Sequence, residues 1–280
     1  MKAIAMTGAA MLAAFAAPAM AQESDGGFNG IYVGAAGGYD VQPNDGGAQV
    51  LFDRNLDGRF GDVVRTGSGA NAFSPGFCGG QATSQLSPGA GGRCTKDKDD
   101  WAYYGRIGAD AQRGRIVVGL VGEFGTSNIT DGVTAFSGTP ASYVFNRGID
   151  WEGGIRARAG FTPNDTTLFY GTFGPGYARI DRAFGSTNTT NTFTGSGKRN
   201  QFGIQGGGGI EQRIGEHLSF GLEYMYHQYQ DDDYVVRAAG PAGTPFTNAN
   251  NGGSASGTDF IRSDDKFRWH SIRATVGFHF

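Results

Sequence analysis

The chain ends on a strict two-residue rhythm. Counting back from Phe280, the residues Phe278, Val276, Ala274 and Ile272 are apolar. Between them, His279, Gly277, Thr275, Arg273 and Ser271 are small or polar. Alternation of this kind gives a strand one apolar and one polar face. A single such strand suits any antiparallel sheet. What it permits depends on how many matching strands the rest of the chain supplies.

Seven more are present. Besides 266–280, alternating segments fall at 28–40, 101–112, 116–127, 149–161, 168–184, 201–212 and 218–230. In the second, Trp101, Tyr103, Ile107 and Ala109 oppose Tyr104, Arg106, Asp110 and Gln112. In the fourth, Trp151, Ile155, Ala157, Ala159 and Phe161 oppose Glu152, Arg156, Arg158 and Gly160. Around Gly174-Pro175-Gly176 the rhythm blurs, and a bulge or bend is expected. Each segment has the length that a tilted membrane strand needs. The connections run long, short, long, short, long, short, long, which is the loop asymmetry of outer-membrane barrels. Trp101 and Trp151 open even-numbered strands on the apolar face, where an aromatic girdle belongs. Trp269 is out of phase with Phe280, so either a bulge intervenes or the ring stands above the bilayer.

Composition agrees. Fifty glycines in 280 residues far exceed the usual ~7%. Yet 21 Phe, 11 Tyr and 3 Trp exclude a disordered chain. Glycine interleaved with aromatics suits a narrow barrel with little interior room. A net charge of −3 leaves no basic footprint for nucleic acid. Residues 1–21 read as a cleaved secretory signal: Lys2, an alanine-rich apolar run, then Ala19-Met20-Ala21 before Gln22. The expected barrel is 22–280, with a first extracellular loop at about 41–99 and an external cap built on that loop.

Several short motifs carry a resemblance. They are Gly30-Ile31-Tyr32-Val33-Gly34, Val118 to Phe124, Arg156-Ala157-Arg158-Ala159-Gly160, Leu168-Phe169-Tyr170, Glu223-Tyr224-Met225-Tyr226 and Arg273 to Phe280. With them the chain resembles the small eight-stranded outer-membrane β-barrel family of Gram-negative bacteria, OmpA-like and often called porin family. The resemblance implies an all-β, eight-stranded antiparallel up-and-down transmembrane barrel in the cell outer membrane, in contact with its lipid. It also implies that the barrel assembly machinery reads Phe280. The first loop is much longer than such barrels usually carry.

Four sets of residues are candidates for function. The inward faces collect Arg106, Asp110, Glu123, Arg156, Arg158, Glu211, Glu223 and Arg273, with Glu152 beside them. Eight strands leave an interior that side chains can fill, so these charges are expected to pair into a plug. The competing expectation is a narrow polar conduit for small solutes or ions. In the first loop, Asp53, Asn55 and Asp57 followed by Gly58 match the front half of a calcium loop. Position twelve is Val64, with Asp62 as a substitute acid, and a solvated turn is the competing expectation. Cys78 and Cys94 are even in number, exported and in one loop, so a disulfide is expected. His270 and Ser271 are adjacent on a strand and point oppositely, which argues against a His–Ser dyad and an enzyme. The expected role is structural, or interactive at the surface through the loops. Deleting Phe280 is expected to lower outer-membrane levels while export into the periplasm continues, as read by cell fractionation; unchanged levels would refute the terminal signal.

Overall fold

The computed structural model describes residues 27–83 and 94–280. The expected signal segment, 1–21, lies outside the described residues. Eight long strands make the wall: β1 Gly30–Val41, β2 Asp100–Arg113, β3 Ile116–Ser127, β4 Ala141–Asn164, β5 Thr167–Ser186, β6 Asn200–Ile214, β7 Leu218–Gln230 and β8 Lys266–His279. Each pairs antiparallel with the next, and β1 closes on β8 from Tyr32↔His279 to Val41↔His270. Closure leaves no edge strand in the wall, which a lipid environment requires. No helix among the described residues is long and apolar enough to cross a membrane, so the crossing is by strands.

The two faces sort as the alternation demands. Outward side chains form an apolar band in which Ile155, Phe173 and Phe202 are 63%, 62% and 71% exposed. Such a belt is tolerable only against lipid. Trp101 packs edge-on against Tyr39, and Trp151 lies between Phe124 and Tyr177, forming the aromatic rim. Trp269 corrects the sequence reading. It points inward on the same phase as Ser271 and Arg273, is fully buried, and stacks on His227 at 4.8 Å. No bulge is needed. At Gly174–Gly176, where a bulge or bend is expected, β5 is one continuous strand with no register shift. Only its ladder to β4 lapses there, between Phe173↔Ala157 and Gly176↔Gly154. Pro175 has no N–H to offer. Register shifts lie on either side of it, between Thr167 and Phe169 and between Arg179 and Ile180.

The described parts of the long connections carry strands of their own, which hydropathy alone did not suggest. β4 and β5 continue beyond the aromatic rim, and Thr130–Ser137 pairs with the upper part of β4. Gly76–Phe77 extends that sheet. A second sheet runs Thr192–Ser196, Val235–Ala239, Thr258–Arg262, Val50–Asp53. The two sheets face each other across Phe52, Phe73, Tyr143, Phe145, Phe246 and Phe260, with Phe184 and Phe193 packed alongside. Rings approach to 4.3 Å for Phe52–Phe73 and 4.8 Å for Phe145–Phe184. Such pairs add about 0.5–1.5 kcal/mol each beyond area burial. The cap is therefore a small β-sandwich made from all four long connections, not from the first alone.

One side chain ties this cap together. Arg147 of β4 is completely buried. Its guanidinium meets Asp131 at 2.5 Å, Asp231 at 3.0 Å and Asp264 at 3.0 Å, and donates to the Lys266 carbonyl at 2.9 Å. Those acids come from the second and fourth connections. Truncating one partner of a buried ion pair costs about 3–5 kcal/mol. Arg147→Met is accordingly expected to accelerate hydrogen exchange across the cap strands by two or more orders of magnitude while barrel amides stay protected. Equal protection in the variant would show that the aromatic core suffices.

Candidate lumenal network and extracellular cap

Every lumenal charge expected from the sequence faces inward, and the structure joins them in three tiers. In the middle, Glu123 and Glu223 sit among three arginines. Arg273 reaches Glu123 at 2.8 Å and Glu223 at 2.8 Å. Arg156 reaches Glu123 at 3.2 Å, and Arg106 reaches Glu223 at 3.5 Å. Toward the short turns, Arg158 pairs with Asp110 at 3.1 Å and with Glu211, while His279 lies 3.4 Å from Glu211. Exposure of these carboxylates and guanidiniums does not exceed 8%.

The third tier centres on Glu152, an expected lumenal charge whose neutral partners charge counting did not supply. Glu152 is fully buried and accepts hydrogen bonds from Tyr104 at 2.6 Å, Tyr229 at 2.7 Å and Gln205 at 2.9 Å. His227 Nδ1 lies 3.1 Å from the same carboxylate. Lower down, Tyr32 accepts from Arg158 at 3.1 Å, and Tyr170 donates to Glu223 at 3.0 Å. All these neutral partners lie on the inward phase of their strands, a signal already present in the sequence. Room for them comes from lumenal glycines. A Cβ at Gly38 would lie 2.4 Å from Cβ of Arg273, and one at Gly176 would lie 2.5 Å from the Tyr229 hydroxyl. The arrangement pairs buried charge at three levels of the barrel.

In the first loop, Cys78 and Cys94 are disulfide-bonded. The residues singled out for calcium fold the loop on themselves. Asp53 accepts backbone N–H bonds from Leu56 at 2.7 Å, Asp57 at 3.2 Å and Gly58 at 2.7 Å. Asp57 accepts from Arg59 at 2.9 Å, Asn55 accepts from Asp57 at 3.1 Å, and Asp62 accepts from Arg54 at 2.8 Å. Among the described residues, the one carboxylate trio within 4.8 Å is Asp45, Asp131 and Asp264. It surrounds Arg147, so a guanidinium is the cation of that cluster. Ser271 faces the lumen and His270 faces out, bonded to Tyr224 at 2.6 Å.

Cap acidity follows from burial. Desolvation pushes the Asp97 carboxyl up to about 7, and the charge of Asp131 adds to it. Asp45 is pushed up to about 7, first by burial and then by the Asp264 carboxylate beside it. Both start from an ordinary value of 3.8. A carboxyl whose folded value exceeds its unfolded one contributes stability below that unfolded value, and the contribution is lost as pH rises through the folded value. The cap is therefore expected to be less resistant to proteolysis at pH 8 than at pH 5. Asp45→Asn combined with Asp97→Asn is expected to remove most of that difference. A variant retaining the full pH slope would place its origin elsewhere.

With this geometry in hand, the relatives are informative. A family model for the outer membrane protein beta-barrel domain matches residues 7–280. The 22 kDa outer membrane protein of Rhizobium leguminosarum bv. viciae is 29% identical over 160 residues, covering 56% of this chain and 65% of that protein. The 31 kDa outer-membrane immunogenic protein of Brucella melitensis is 25% identical over 111 residues, covering 40% of this chain and 46% of that protein. The chain thus spans less than two thirds of the length of these relatives. Among solved structures, the outer membrane protein OprG from Pseudomonas aeruginosa gives a TM-score of 0.48 at 15% identity, covering 91% of this chain and 98% of that one. A closed eight-stranded wall, an apolar belt and a family match along nearly the whole chain lead to one conclusion: this is an outer-membrane protein of the outer membrane beta-barrel domain family.

Proposed function

We propose that the barrel is a closed anchor and that the protein works at the cell surface through its cap. The observation that carries this reading is the lumen itself. Arg156, Arg273, Glu152 and Glu223 are at most 1% exposed, and their partners span the bore from wall to wall. A conduit would need water along that path, and buried charges this tightly paired leave it none. Outside, four connections converge on one aromatic core, giving a rigid platform of the kind that carries binding loops. One relative is named an immunogenic outer-membrane protein, which fits a surface-displayed cap.

Single-channel recording in planar bilayers tests the reading. The refolded protein is expected to be silent, whereas Arg273→Ala combined with Glu123→Ala is expected to give a small noisy conductance. Resolved steps from the unaltered protein would favour a narrow porin instead.

A further inference from the structure

The outer wall carries a polar furrow where barrel passes into cap. β3 and β4 pair up to Gly125↔Glu152. Above that point β4 is taken over by the cap strand, starting at Thr130↔Gly148. Residues 126–129 and 149–151 are left without a common ladder, and the wall parts there. The resulting concavity is about 530 Å³, within the range of small-molecule sites. Its lining is polar: Thr126, Asn128, Asn146, Asp150 and Asp181 among others. Thr126 donates to the Asp150 carbonyl at 3.0 Å, and Asn128 donates to the Trp101 carbonyl at 3.2 Å. Oδ1 of Asn146, a lining residue, has no protein hydrogen-bond partner. It is free to accept a hydrogen bond from a ligand that donates.

Position and charge narrow which ligand fits. The furrow begins beside Trp101 and Trp151, so it opens at the depth where the apolar belt ends and lipid headgroups begin. Each carboxylate at its margin already has a cation. Asp100 pairs with Lys98, Asp150 with Arg179 at 3.2 Å, and Asp181 with Arg199. No surplus positive charge remains to draw in a phosphate. Amides, hydroxyls and balanced carboxylates instead match a ligand rich in both donors and acceptors. We propose that the furrow binds the sugar of an outer-leaflet glycolipid headgroup, holding one lipid against β3, β4 and β5.

The test compares the detergent-solubilised protein with the triple variant Asn146→Ala, Asp150→Ala, Asp181→Ala. Each is equilibrated with rough-type lipopolysaccharide, phosphatidylglycerol or deacylated lipopolysaccharide oligosaccharide, and bound species are counted by native mass spectrometry. Heat-dependent gel mobility confirms that both are folded. The unaltered protein is expected to retain lipopolysaccharide in preference to phosphatidylglycerol, and the variant to retain about tenfold less, as loss of several hydrogen-bonding groups implies. Equal retention by protein and variant overturns the proposal. So does equal retention of phosphatidylglycerol, or capture of the free oligosaccharide with no retention of the intact lipopolysaccharide. Should the variant not fold, hydrogen exchange at 126–130 in nanodiscs decides instead. Slower exchange with lipopolysaccharide than with phospholipid supports the site, and identical exchange refutes it.

Discussion

Eight strands closed in a ring fix the bore, and the bore dictates nearly everything inside it. There is too little space for charges to keep their hydration, so each must be matched by another side chain. Glu123 and Glu223 satisfy this with three arginines, Glu211 and Asp110 with Arg158, and Glu152 with two tyrosines, a glutamine and a histidine. Long side chains need bare backbone opposite them, which accounts for glycines at Gly38 and Gly176. Polar plug and glycine-rich wall are two sides of one geometric requirement.

Above the membrane the same rule operates at a different scale. Arg147 is a buried cation in the neck between barrel and cap, and it meets acids from separate connections. Arg262 reinforces Asp131 at 2.7 Å, and Arg182 reinforces Asp231 at 2.6 Å. The cap core is then free to be almost purely aromatic and apolar. Division of labour between an ionic neck and an apolar sandwich lets polar-looking loops fold as one unit.

Most of the wall was legible in the sequence because a period of two sets which face each residue takes. Strand 116–127 was read at its observed bounds, and each expected lumenal charge points inward. The aromatic girdle followed from phase, and phase alone would also have put Trp269 inside. What escaped was order in the loops. Thr192–Ser196, Val235–Ala239 and Thr258–Arg262 are five-residue strands, too short for a rhythm to stand out. Their strand character comes from pairing partners distant in the chain. The calcium-like loop was legible as a tight turn, but sequence could not tell whether its carboxylates turn outward or toward their own amides, as Asp53 does.

The hairpin of β4 and β5 runs in one piece from its turn at Asn164–Thr167 to Tyr143↔Ser186 in the cap. That continuity has a mechanical meaning. A pull on the cap along the barrel axis loads the β4–β5 ladder lengthwise, so many hydrogen bonds share the force in shear rather than opening one after another. The cap is thereby coupled stiffly to the membrane wall, and a tug applied at the cell surface reaches the barrel without first unravelling a flexible tether.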